Sequence, residues 1–229
     1  MPDGCLVVVP AYNEADTIEE VVRRSLTHAD VCVVDDGSKD GTAELVDAVG
    51  GAHVIRHTRN THIAGAIVDG FAYAREQGYS HCITMDAGLS HDPDAIPRFR
   101  ACEGADLVLG YRAETIDVPL RRRALSLVAS GLMNMALNHS VLPWRGAGLR
   151  DLTSGYRMYS RAAYEVILDS DLVSKTFDFH LEALARVHRA GLRIDEVPIS
   201  YRYTNSSLQL GIVADAARTC GRIWTGRLA

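Results

Sequence analysis

Three short apolar runs constrain this chain most: residues 5–9, 31–34 and 81–85, each too short for a core helix and each cut off by polar or Gly/Pro residues. Such runs read as strands buried on both faces, the habit of parallel sheets. Between them lie helical patterns over 14–26, 42–49 and 63–77, with a weaker strand near Val54 before the last. Strand alternating with helix winds a sheet from βαβ units, so an α/β fold is expected, its central sheet mostly parallel and flanked by helices. At 229 residues, 47% hydrophobic and 23% charged, the chain suits a single domain with a sizeable core.

A further strand is expected at 105–109, after a short helix that Asp92 and Pro93 would start. Beyond Glu114 the rhythm changes to a basic run, Arg121-Arg-Arg123, an apolar helix over 124–137, a loop through Pro143 and Gly148, and a strand over 156–159. A last helix is expected over 210–224.

The formal net charge of −5 argues against a protein that holds nucleic acid by whole-surface electrostatics. Five scattered cysteines, three of them inside strand-like runs, read as buried thiols and not as disulfides or a metal site. No basic-then-apolar leader opens the sequence and no apolar run approaches the ~20 residues that span a bilayer. The expected location is cytoplasmic, or peripheral at the cytoplasmic face of a membrane.

Ligands of open α/β sheets bind beyond the carboxyl ends of the strands, so the residues that follow each apolar run belong together. They are Pro10-Ala-Tyr-Asn-Glu14, Asp35-Asp-Gly-Ser38 and Asp86-Ala-Gly-Leu-Ser-His-Asp92. Tyr12 offers a ring for stacking, Glu14 and Asp36 offer carboxylates for base or ribose, and Asp86 offers a metal ligand. One such cluster is ordinary turn chemistry. Three in register point to a nucleotide pocket, and the missing Gly-x-Gly-x-x-Gly after the first strand excludes a dinucleotide-binding dehydrogenase.

The stretches Val9-Pro-Ala-Tyr-Asn-Glu14, Val34-Asp-Asp-Gly-Ser-Lys-Asp-Gly-Thr42 and Met85-Asp-Ala-Gly-Leu-Ser-His-Asp-Pro93 resemble family 2 glycosyltransferases of the GT-A (Rossmann-like) fold. The dolichol- or polyprenol-phosphate mannosyltransferase branch is the most similar. The likeness continues through Leu109-Gly-Tyr-Arg112, Asp151-Leu-Thr-Ser-Gly-Tyr-Arg157, Phe179-His-Leu-Glu182 and Glu196-Val-Pro-Ile199, in order along nearly the whole chain.

The resemblance implies one domain over 1–229, in which 1–112 serve a nucleotide-diphosphate sugar and 113–229 an acceptor. Pro10, Tyr12, Asn13, Glu14, Val34, Asp35 and Asp36 are its nucleotide positions. Asp86, Ala87, Gly88 and Ser90 line the diphosphate and a Mg²⁺ or Mn²⁺ held by Asp86 and Ser90, while Arg112 faces the phosphates. Asp151 and Glu182 are the candidate bases beside the catalytic Asp86 and Arg112, and Arg121, Ser154 and Arg202 the candidate acceptor contacts. The acceptor is a polyprenyl phosphate met at a membrane surface, or else a saccharide or metabolite hydroxyl.

Two departures from the family pattern stand out. Gly88 replaces the second acid of Asp-x-Asp, which leaves open a catalytically silent nucleotide-sugar binding protein. Residues 203–208 lack the lysine expected to meet a lipid phosphate, and Arg202 is the candidate substitute.

Overall fold

The computed structural model describes residues 4–138, 147–202 and 210–227, with backbone alone for 120–125, 210–214 and 216. The first half alternates β1 (Cys5–Ala11), α1 (Ile18–Leu26), β2 (Asp30–Asp35), α2 (Thr42–Val49), β3 (His53–Arg56), α3 (His62–Gln77) and β4 (His81–Thr84). A single 3₁₀ turn leads into α4 (Ile96–Arg100), followed by β5 (Leu107–Ile116) and α5 (Leu120–Leu137). The remainder is β6 (Arg157–Ser160), α6 (Arg161–Leu168), α7 (Phe179–Arg189), β7 (Ile194–Arg202) and α8 (Leu210–Trp224).

The strands form one seven-stranded sheet in the order β3-β2-β1-β4-β6-β5-β7. Among the described strands only β6 runs against the others, pairing antiparallel with β4 and β5. The chain winds outward from β1 to β3 and then returns to place β4 on the other side of β1, which opens a crevice at that switch. The expected fold class is therefore what the chain adopts. The strand expected at 105–109 runs on to Ile116, because β7 pairs with it along its whole length.

Alternation along β1 and β2 explains why their sequences are apolar throughout. Leu6, Val8, Cys32 and Val34 pack with Ile67 and Phe71 of α3 and with Tyr164, Ile167 and Leu184 of α6 and α7. Val7, Val9, Val31 and Val33 face the other way, against Ile18, Val21 and Val22 of α1, Val46, and Phe99 of α4. Burying each such side chain contributes about 1.5–3 kcal/mol. Helix α3 lies so close to β1 that a β-carbon at Gly70 would stand 2.3 Å from Val8. Cys32 and Cys82 are buried, and burial pushes the Cys32 thiol up to about 12.

Asp92 caps the 3₁₀ turn by accepting from the Asp94 amide, and it also pairs with Arg24. The basic run 121–123 falls in the first turns of α5, where only backbone is described, so the Arg121 side chain lies outside the described residues. So do residues 203–208.

Arg157, wholly buried, ties together two pieces of the second half. It donates to the carbonyls of Ser154 (2.8 Å), Leu152 (2.7 Å) and His180 (2.6 Å), fixing the loop 151–155 against α7. Arg157→Leu leaves three buried carbonyls unmatched, each worth about 1–3 kcal/mol. Denaturant titration should show a destabilisation of about 3 kcal/mol or more; a change under about 1 kcal/mol would mean the carbonyls find other donors.

Candidate active site

The loops after β1, β2 and β4 meet at one end of the sheet and are knotted together by their own polar groups. Asn13, at φ 55°, donates its amide to Ser38 Oγ (2.9 Å), and its side-chain oxygen accepts from the Lys39 amide (2.9 Å). The left-handed conformation is one Asn tolerates better than most residues. The Glu14 amide donates to Thr42 Oγ1 (2.9 Å), and Thr17 Oγ1 reaches the Ala87 carbonyl (3.0 Å), joining the β1 loop to the β4 loop. Asp36 Oδ1 accepts from His57 Nδ1 (2.7 Å) and from the Thr61 amide and hydroxyl (2.8 Å each).

These loops line a cleft of about 1180 Å³. Pro10, Tyr12, Asn13, Glu14 and Asp36 form one wall, with the Tyr12 ring 47% exposed and so available for stacking. Asp86, Ala87, Gly88 and Ser90 form the floor. Burial, opposed by the Thr17 bond and reinforced by Asp86 and Asp40, raises the Glu14 carboxyl above its ordinary value.

The far wall carries Arg112, Asp151 and Ser154. A bulge in β5 between Arg112 and Glu114 breaks the ladder, a device that re-aims side chains beside active sites. Arg112 grips Asp151 through Nε (2.6 Å) and Nη2 (2.9 Å), touches Ser126 and Thr153, and lies 5.2 Å over the Tyr201 ring. Burial alone would raise the Asp151 carboxyl, but Arg112 and Thr153 outweigh it and hold it below its ordinary value. Asp151 is thus a fixed anion and a poor base.

Other expected positions lie elsewhere. Val34 and Asp35 are buried in β2 and do not line the cleft. Glu182 is fully buried: it accepts from the amides of Val173 and Ser174 and pairs with Arg186 at 2.8 Å. Those contacts make it the anchor of the segment before α7, in place of the base role expected of it. Arg202 points outward at the end of β7, while the buried Tyr201 next to it faces the cleft. Only the Arg202 backbone meets the floor, donating to the Ser90 carbonyl at 3.1 Å.

Among the described residues, no three His, Cys, Asp or Glu side chains gather into a ready cation site. A cation on a diphosphate needs fewer, since hard divalent ions commonly take one or two protein donors beside substrate oxygens. The Asp86 carboxylate, 38% exposed, faces the cleft and suits that task. His91, buried against Tyr156 and Tyr201, accepts the Asp86 amide at Nδ1 (3.4 Å) and so braces the same loop.

Sequence reasoning overlooked His180. It is 1% exposed, and neither ring nitrogen has a hydrogen-bond partner among the described residues. Burial, then Arg157 and His91, push its pKa well below the ordinary histidine value, so the ring is neutral. A β-carbon at Gly155 would stand 2.9 Å from His180 Nε2 and 3.4 Å from Asp86 Oδ1, so only a glycine lets both groups approach this point.

Fold and cleft together define a sugar-nucleotide transferase of the GT-A class. Residues 6–168 match the model of glycosyl transferase family 2, and the chain belongs to that family of enzymes. It is 32% identical to an undecaprenyl-phosphate mannosyltransferase of Micrococcus luteus, over 92% of this chain and 90% of that one. A polyprenol monophosphomannose synthase of Mycolicibacterium smegmatis is 33% identical, over 86% of this chain and 76% of the other. Among solved structures, glucosyl-3-phosphoglycerate synthase of Mycobacterium tuberculosis, in complex with Mn²⁺, UDP and glucosyl-3-phosphoglycerate, superposes with a TM-score of 0.72. That match has 21% identity and covers 98% of this chain and 79% of that one, a likeness of fold.

Proposed function

We propose that this enzyme moves a sugar, with mannose from GDP-mannose as the leading candidate, onto a polyprenyl phosphate at the cytoplasmic face of a membrane. Residues 1–112 hold the nucleotide sugar and 113–229 the acceptor. The observation that carries this reading is the make-up of the cleft mouth. Leu127, Val128 and Leu132 of α5 line the cleft and are 70%, 59% and 49% exposed, so an apolar helix face leads to a polar floor. A contiguous exposed apolar patch marks an interaction surface, and a lipid phosphate presents the same two chemistries in the same order.

The acid–base inventory favours the same acceptor. A hydroxyl acceptor needs a general base within hydrogen-bond reach, whereas a phosphate monoester is already largely ionised near neutral pH. Asp151 is held anionic by Arg112, and Glu182 is tied to Arg186 outside the cleft. Tyr12 and the Glu14 and Asp36 carboxylates would position the nucleoside. Arg112 would meet the charge that builds on the departing diphosphate, and Asp86 and Ser90 would hold a divalent cation. Such a cation, when bound, helps neutralise the leaving group. Nothing in this scheme needs a covalent intermediate; the protein orients donor and acceptor and offsets charge.

No helix among the described residues is long and apolar enough to cross a membrane. Contact through α5 would therefore be interfacial, with Arg121, Arg122 and Arg123 supplying attraction to anionic lipid. The test is a panel of GDP- and UDP-sugars with undecaprenyl phosphate or hydroxyl acceptors on anionic vesicles. Transfer to the lipid phosphate gives a product from which mild acid releases the sugar; transfer only to hydroxyl acceptors would defeat the proposal. The variant carrying Leu127→Ser, Val128→Ser and Leu132→Ser is expected to raise KM for the lipid at least about tenfold, since each loses apolar burial worth about 1.5 kcal/mol or more. Its nucleotide affinity should hold; an unchanged lipid KM would remove α5 from the acceptor path.

A further inference from the structure

Gly88 leaves Asp86 as the one carboxylate where the family resemblance implies two. Across Gly155 from Asp86 lies the His180 ring, buried and with both nitrogens unmatched. Buried polar side chains nearly always find a partner, so an imidazole without one asks for an occupant of the site. The imidazole edge and the carboxylate converge on one point beside Gly155: a β-carbon there would meet Nε2 at 2.9 Å and Asp86 Oδ1 at 3.4 Å, so no larger residue fits between them. Arg157 donates to the His180 carbonyl at 2.6 Å and so fixes the main chain that carries the ring.

We infer that His180 supplies the donor that Gly88 lacks: its Nε2 and the Asp86 carboxylate together hold the divalent cation of the sugar-nucleotide complex. Ser90, diphosphate oxygens and water would supply the remaining donors. The inference rests on the nucleotide-sugar reading of the cleft. A neutral imidazole offers one lone pair and one N–H, so a cation at Nε2 leaves the proton on Nδ1. Exchanging a carboxylate for an imidazole also changes metal preference: oxygen donors suit Mg²⁺, whereas a nitrogen donor moves the site toward Mn²⁺ and later transition ions. Gly155 belongs to the same device, since its missing β-carbon keeps the path between the two donors open.

The probe is Mn²⁺ with GDP, and with UDP in parallel, bound to the full-length protein grown with ¹⁵N-histidine. Pulsed electron paramagnetic resonance is expected to show a histidine ¹⁵N coupling in the wild type. In His180→Gln that coupling should vanish and Mn²⁺ should bind at least about tenfold more weakly. Adding Gly88→Asp to His180→Gln should restore cation binding without the nitrogen signal and with Mg²⁺ now competing well, which also shows that the variant folds. No histidine coupling in the wild type, or coupling and affinity unchanged in His180→Gln, would overturn the assignment. Asp86→Asn separates the two levels. If it abolishes Mn²⁺ binding while His180→Gln does not, only the histidine role falls; if Mn²⁺ binding survives Asp86→Asn, the reading of the cleft floor falls with it.

Discussion

Asp86→Asn is expected to lower kcat/KM for sugar transfer by about 10²–10³, the scale of losing one preorganised charge-stabilising group in a transferase site. Asp86 stands two residues past β4, the strand beside the switch in sheet order, and its carboxylate opens into the cleft. With Gly88 two residues on, the floor has no second acid in that motif to take over the charge. Asparagine keeps the shape and the backbone bond to His91 Nδ1, so folding should be unaffected. Nucleotide binding without added cation should change little, while the dependence of rate on Mn²⁺ should flatten. A variant with wild-type turnover and an unchanged Mn²⁺ titration would move the cation away from this strand end.

Much of this architecture could be read from the sequence because its physics is local. Runs such as Leu6–Val9 must be strands buried on both faces, and the sheet order then brings their polar ends together. At Glu182 and Arg202, where the sequence leaves alternatives open, the direction in which each element turns its side chain decides between them. Period-two alternation puts Val197, Ile199 and Tyr201 inward and Arg202 outward, so Tyr201 was the residue to choose. Glu182 stands four residues before Arg186 on α7, a spacing that reads as an internal ion pair before it reads as a base.

His180 carried no such signal. Its interest comes from two bonds it fails to make and from a β-carbon missing at residue 155, facts that exist only after α7 has docked on the 151–155 loop. Arg157 does the docking, yet the sequence, which shows it closing the 151–157 stretch, gives no sign of that task. A departure such as Gly88 can be seen in one dimension. Its compensation must be sought in three, because a replacement donor has to share the site and need not share the motif.

Arg112→Lys should prove nearly as costly as the loss of Asp86, with kcat falling about 10²–10³ and KM for the nucleotide sugar moving much less. The bulge in β5 aims a planar guanidinium that holds both Asp151 oxygens while touching Ser126 and Thr153, and an ammonium cannot span those partners at once. If the lysine variant works at wild-type rate, a point charge suffices and the fork geometry is irrelevant. The partner carboxylate gives an independent check through pH. Asp151 is held below its unfolded value, so the pair stabilises fully above that unfolded value and loses its contribution as pH falls through the lower folded one. The stability gap between wild type and Asp151→Asn should therefore be widest near neutrality and close in strong acid, measured by denaturant titration at each pH. A gap that persisted in acid would mean that Asp151 acts through its hydrogen bonds and not its charge, and Arg112 would then be oriented by shape alone.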